Sequence, residues 1–318
     1  MTFFKSLGVL TAAVCIASTA SFAETRITYK SAKAGSSYYQ MAVQIAEAMK
    51  AGTQGDVSVT VEESQGSVQN VMEVRARGGD YVFTTPPALI GLAQKGKAMF
   101  EGKTDPAFED IRALFPIPSL TMHFVMSEAS GVKSFADMEG KTILLGSGSF
   151  GAREGAKYLG LFGLEDKVTI ADSELSNAVA ALKNGQIDGF VTAGSYPAPN
   201  VIEAAASTGV HVLSLSDEQV AKSKRTELTI PAGTYAGQDA AITTTSLPVV
   251  AYTTSKMDDD TAYQLTKTYW DTKADMAGDA KWWDGVSVDM LANITSQIHP
   301  GAIRYYKEIG ASLTDVQM

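Results

Sequence analysis

From residue 25 onward the chain alternates between short apolar runs and longer stretches in which apolar side chains recur every three or four positions. The first pattern belongs to a buried strand and the second to a helix with one core-facing stripe. In order, the pattern predicts a strand over 26–30, a helix over 37–50 with Met41, Ile45, Ala48 and Met49 on one face, an alternating strand over 57–61, a helix from 67 to about 77 and a strand over 80–84. Pro86 and Pro87 open the next helix, since a proline in the first turn sacrifices no hydrogen bond. A strand over 111–115 precedes 121–126, read as a crossing into a second lobe. That lobe continues with an apolar strand near 141–145, a helix over 152–162, a strand over 167–171, a helix over 174–183 and a strand over 188–192. Residues 249–253 read as the return crossing, and the C-terminal part as helices over 259–277, 287–292 and 301–309. Such alternation predicts an α/β fold with mainly parallel sheets. The 318 residues suit two lobes: 24–120 with 254–318, and 121–253.

The stretch 141–155, KTILLGSGSFGAREG, stands out. A strand feeding a glycine and serine loop into a helix leaves unpaired N–H groups at a positive dipole end, an arrangement that favours anions. The loop has two functional readings. Gly146, Gly148 and Gly151 form a GxGxxG fingerprint, with Asp172 placed as a ribose-binding acid for a dinucleotide. Alternatively Ser147, Ser149, the N–H groups of Gly151 and Ala152, and Arg153 hold a small carboxylate in one lobe of a binding protein. A turn without ligand is the third option. The loop over 31–37 repeats the design, with Lys33 adding charge, Ser36 and Ser37 adding hydroxyls at the cap, and Tyr38 or Tyr39 facing the cleft. Residues 64–67, including Gly66 and Ser67, make another hydroxyl-rich helix start.

The two lobes echo each other. Val71, Val74, Asp80 and Thr84 share their spacings with Val179, Leu182, Asp188 and Thr192. Each set describes a helix, a turn, an Asp-led strand and a threonine at its carboxyl end, where ligands of open α/β sheets sit. Thr84 and Thr192 therefore face each other across a cleft, with the loop Gly194, Ser195 and Tyr196 following the second.

The amino terminus carries Lys5, an apolar run over 7–17 and small residues ending at Ala23, the pattern of a cleaved secretory leader. The single cysteine, Cys15, falls inside it, so thiol and disulfide chemistry are excluded from the mature chain. Loss of Lys5 takes the 26 basic residues to 25 against 35 acidic ones, a formal −10. That balance argues against nucleic acid or an anionic membrane surface as partner. Catalytic groupings are scarce. His123, His211 and His299 stand alone without zinc-ligand spacing. Ser149 lacks the glycine of a nucleophile elbow, because Ser147 occupies its place. The run Asp258 to Asp260 precedes a helix, where carboxylates cap the dipole, and Trp282 and Trp283 read as packing.

Six segments, AGSSYY (34–39), SQGSVQNV (64–71), the loop ending Gly151-Ala152-Arg153, LKNGQIDGF (182–190), IPAGTYAGQD (230–239) and HPGAIRYYKE (299–308), together resemble the TAXI family. These are the extracytoplasmic solute receptors of one class of TRAP transporter. The resemblance covers almost the whole mature chain. It implies a periplasmic binding protein-like fold of two α/β lobes joined by crossing strands. It also implies a periplasmic receptor that closes on a small organic anion such as glutamate or 2-oxoglutarate for delivery to a membrane permease. With the leader and the scarcity of catalytic groups, the expectation is a monomer without catalysis, cofactor or metal. The family's loops fall on 34–39 and 149–153. This chain has Phe150 and Ala152 where hydroxyls are common, Ala32 and Ala34 where glycines are common, and Thr85-Pro86-Pro87 in place of more polar residues. Those departures point to a less polar carboxylate. An exported enzyme using the GxGxxG loop with a dinucleotide is the second reading, disfavoured by export.

Overall fold

A computed structural model describes residues 24–318; the leader expected over 1–23 lies outside the described residues. The elements in chain order are β1 (Thr25–Lys30), α1 (Ser37–Gly52), β2 (Val57–Glu62), α2 (Ser67–Glu73), β3 (Tyr81–Thr85), α3 (Pro87–Gln94), β4 (Ile111–Ser127), β5 (Thr142–Leu144) and α4 (Phe150–Leu161). They continue with β6 (Thr169–Ala171), α5 (Ala178–Lys183), β7 (Gly189–Gly194), α6 (Pro199–Thr208), β8 (Val210–Val212), α7 (Asp217–Ser223), β9 (Thr226–Ile230), β10 (Ile242–Thr254), α8 (Asp259–Asp279) and α9 (Pro300–Glu308).

One curled sheet, ordered β2-β1-β3-β10-β4-β7-β5-β6, runs through both lobes, with β8 added to β4 and β9 to β10. β1 pairs in parallel with β2 and β3, and β5 with β6 and β7. Every strand that pairs with β4 or β10 does so antiparallel, and a single parallel bridge joins Ala113 of β4 to Ile298. The two long strands are the connection: Val250 to Tyr252 of β10 pair with β3, while Ile242 to Ser246 pair with β9. Residues 111–115 and 121–126, expected as separate strands, are one strand of 17 residues. Pro116 stays inside it, opposite Val250, and the register of the β4–β10 ladder shifts between Leu247 and Val249, at Pro248. A proline tolerates a ladder where its missing N–H is not needed.

Helix α1 shows how sequence sets the first lobe. Ser36 caps it by accepting from the Tyr39 N–H, and Tyr38, Met41, Ala42, Ile45 and Met49 are buried along one stripe. In the second lobe, successive residues of a strand serve opposite faces. Val125, Leu144 and Phe190 pack towards α5 and α6, whereas Phe124, Ile143 and Val191 join the larger core. Behind the crossing, Phe115 stacks on Tyr269 of α8 at 4.0 Å, and Tyr306 of α9 donates to the Leu114 carbonyl at 2.8 Å. Trp282 and Trp283 are buried, the latter donating to Gln44 at 3.0 Å. Helix 174–183 proves to be a single tight turn followed by α5. The segments β8, β9, α6 and α7 are additions that the sequence pattern did not predict.

Candidate functional site

The loops after β1, β2, β5 and β6 and the carboxyl ends of β3 and β7 converge from the two lobes around a cavity of about 50 Å³. Leu120 of β4 and Val249 of β10 line it between the lobes. Of the residues expected from sequence, Lys33, Ser36, Tyr38, Gly66, Ser67 and Thr84 line it from the first lobe, and Ser149, Gly151 and Thr192 from the second. Thr84 and Thr192 do meet at one cavity.

The first-lobe wall is a hydrogen-bonded unit. Asn70 of α2 is fully buried and its amide donates to the carbonyls of Ser31 at 2.7 Å and Thr84 at 2.9 Å, tying the ends of β1 and β3 together. Ser64 Oγ donates to the same Ser31 carbonyl at 3.0 Å and accepts from the Gly66 N–H at 2.9 Å. Ser31 Oγ donates to the Tyr38 carbonyl at 2.6 Å. Thr84 Oγ1 donates to Tyr29 Oη at 2.9 Å. Ser36 Oγ donates to the Lys33 carbonyl at 2.7 Å, so the Lys33 loop is braced by its own cap. The Tyr38 hydroxyl is turned away to the Pro118 carbonyl at 2.9 Å, and burial pushes its phenol well above its ordinary range. What Tyr38 offers the cavity is ring surface.

In the second lobe, Ser149 Oγ accepts from the Ala152 N–H at 2.9 Å. That N–H, expected to reach ligand, is therefore spent on the cap, and Ala152 does not line the cavity. Gly151 does, because a side chain there would press within 3.2 Å of Ala193 on β7; the glycine lets the helix start approach the strand. Thr192 Oγ1 accepts from Asn200 at 3.2 Å. Ser147 lies outside the lining and donates to Asp172 at 2.6 Å, so the acid of the dinucleotide reading braces its own loop. The cavity is also small beside the ~300–1,000 Å³ of ordinary ligand pockets. A dinucleotide does not fit this arrangement.

Arg153 likewise stands outside the lining, on an exposed position of α4. Partial desolvation by its neighbours lowers its guanidinium pKa, and the Glu154 carboxylate works against that. Glu154 itself, nearly buried, accepts from Nε and Nη2 of Arg225 at 2.8–3.2 Å. The Phe150 side chain lies outside the described residues. Thr85 is buried at the end of β3 and does not face the cavity.

Two polar contacts and one close approach cross between the lobes at the mouth. Lys33 Nζ lies 2.6 Å from Glu174 Oε2, and Ser37 Oγ accepts from the Ser195 N–H at 3.0 Å. The Gln65 amide oxygen sits 3.0 Å from where a Gly148 side chain would begin. Ser37 and Ser195 are thus fasteners outside the cavity, and a Cβ at Gly194 would overlap Ser37 Oγ, so a side chain there displaces that hydroxyl. Tyr196 lines a separate space of about 240 Å³ with Pro118 and Trp282.

Sequence reasoning missed Asn70, Gln65, Glu174 and the apolar liners Leu145, Leu175 and Val191. A buried Asn in mid-helix, poor in propensity, was the one visible signal. Among the described residues there is no group of three or more metal-ligating side chains, and no helix is long and apolar enough to cross a membrane. His299 caps α9, its Nδ1 accepting from the Gly301 N–H at 3.2 Å.

Several solved structures share the fold. The periplasmic binding protein BugD superposes with a TM-score of 0.59 at 11% identity, covering 92% of this chain and 99% of that one. MatC from Rhodopseudomonas palustris, solved with bound malate, gives 0.56 at 12% identity, covering 81% and 88%. A structure described as a periplasmic transporter gives 0.55 at 11% identity, covering 89% and 92%. At these identities the likeness establishes a periplasmic binding protein-like fold. The sequence itself matches a family model over residues 30–310, nearly the whole described chain, and the protein belongs to the NMT1-like family.

Proposed function

We propose that this chain is an extracytoplasmic solute receptor that captures a small organic anion between its lobes and hands it to a membrane permease, without catalysis. The observation that carries the reading is the cavity between the lobes, lined from both, with two polar contacts and one close approach crossing its mouth. A ligand that touches both lobes favours the closed arrangement by its differential affinity. Anion preference is supported by Lys33, the one cationic side chain in the lining, and by the starts of α1 and α4, whose caps Ser36 and Ser149 stand at the wall. The same fold in MatC holds malate. The six sequence segments that resemble the TAXI receptors support a TRAP-type permease as partner, and the leader pattern supports a periplasmic protein.

Mass spectrometry of solutes released from gently purified protein, followed by calorimetry with those solutes, tests the reading. A stoichiometric carboxylate is expected. Saturable binding of NAD or NADP, or turnover of the bound solute, would overturn it.

A further inference from the structure

Resting on that receptor reading, we infer that Glu174 is a specificity residue that restricts the site to singly charged, short, partly apolar carboxylates. Lys33 reaches the cavity from the β1–α1 loop, yet its ammonium is already 2.6 Å from the Glu174 carboxylate of the opposite lobe. The neighbouring charges do not change the balance. Lys30 is held by Glu62 and Glu73 at 3.3 and 3.2 Å, and Glu63 accepts from the Ala34 N–H at 3.1 Å. One ligand carboxylate can share Lys33 with Glu174 and draw on the hydroxyls of Ser67 and Ser149. A second carboxylate finds no cation in the lining and meets the negative charge of Glu174 at the mouth. Like charges so placed are strongly disfavoured.

The rest of the lining agrees with this. Leu120, Leu145, Leu175, Val191 and Val249 present hydrocarbon, which solvates an apolar tail and not a charge. Size agrees as well: about 50 Å³ corresponds to roughly three to five water-sized positions, which suits a short acid.

The test is calorimetry of the full mature protein with pyruvate, lactate and 2-oxoisovalerate as monoanions, and succinate, malate and 2-oxoglutarate as dianions. The best monoanion is expected to bind at least about tenfold more tightly than any dianion, equivalent to about 1.4 kcal/mol. Glu174→Gln, which keeps the side-chain shape, should narrow that gap at least about threefold, and less so at high salt because the pair is partly exposed. Lys33→Gln should weaken both classes. Melting temperatures of both variants check the fold. Dianions binding as well as monoanions in the wild type, or an unchanged gap in folded Glu174→Gln, would overturn the inference and leave the receptor reading standing. A neutral or cationic solute found bound, with neither acid class binding, would do the same to the inference. If no solute of any class binds, both readings fall.

Discussion

His123 makes the stability of this protein depend on pH in a way that can be calculated. It lies in the middle of β4 opposite Thr192 of β7, fully buried. Tyr235 Oη accepts from the Ala198 N–H at 3.0 Å, which leaves its own proton to donate to His123 Nε2 at 2.8 Å. The ring proton then sits on Nδ1 and goes to the Thr121 carbonyl at 3.2 Å. Both nitrogens are satisfied by the neutral form. Burial pushes the imidazole pKa down to about 4, against a smaller opposing pull from the Thr121 carbonyl. In the unfolded chain it returns to about 6.5. The unfolded state therefore binds more protons between those values, so the contribution of His123 is complete above pH 6.5 and is lost as pH falls towards 4. Linkage gives about 2 kcal/mol lost between pH 7.5 and pH 5, and about 3 kcal/mol for the whole shift. Urea denaturation of wild type and His123→Gln at the two pH values isolates the effect, because carboxylates and the other histidines titrate in both proteins. Wild type should lose about 2 kcal/mol more than the variant. Losses equal to within about 0.5 kcal/mol, near the uncertainty of the extrapolation, would refute the assignment. Imidazole NMR gives a second reading: with three histidines in the chain, one should not titrate above pH 5.

Gly194→Ala places a methyl group against Ser37 Oγ without touching the cavity lining. Small-angle scattering should show more open lobes, and Ser37→Ala in the same chain should partly restore closure by removing the overlapped oxygen. Asn70→Ala strips the amide that holds the Ser31 and Thr84 carbonyls, and is expected to cost about 2–4 kcal/mol in chemical denaturation, since buried unsatisfied acceptors carry about 1–3 kcal/mol each. Arg225→Ala leaves the Glu154 carboxylate almost buried without its bidentate partner. Unfolding free energy should drop by about 2–3 kcal/mol, at the lower side of a fully buried pair because the arginine is partly exposed. By contrast Arg153→Ala should change solute affinity less than about threefold in calorimetry, because the residue lies off the cavity; a loss of 2 kcal/mol or more, about thirtyfold, would put it back in the site.

The alternation of apolar runs and helical stripes, the proline-opened helix and the repeated spacing that ends in Thr84 and Thr192 were all readable in the chain, because strand and helix periods and first-turn capping are local properties. The same locality explains why loop 31–37 and loop 146–151 could be recognised as counterparts of one design: each is a strand, a hydroxyl-capped turn and a helix start. Tertiary structure decided which side chains of those turns face inward. On α4, successive residues turn by about 100°, so Gly151 enters the cavity while Arg153, two positions on, is carried away from it. Ser37, between the cavity residues Ser36 and Tyr38, instead reaches the end of β7 in the other lobe. The continuity of β4 through Pro116 depended on which N–H groups the neighbouring strand uses, and no single strand shows that. Lys33 and Glu174 are 141 positions apart in a chain that gives neither a marked context; only the approach of the two lobes makes them a pair, and with it the charge that the site can accept.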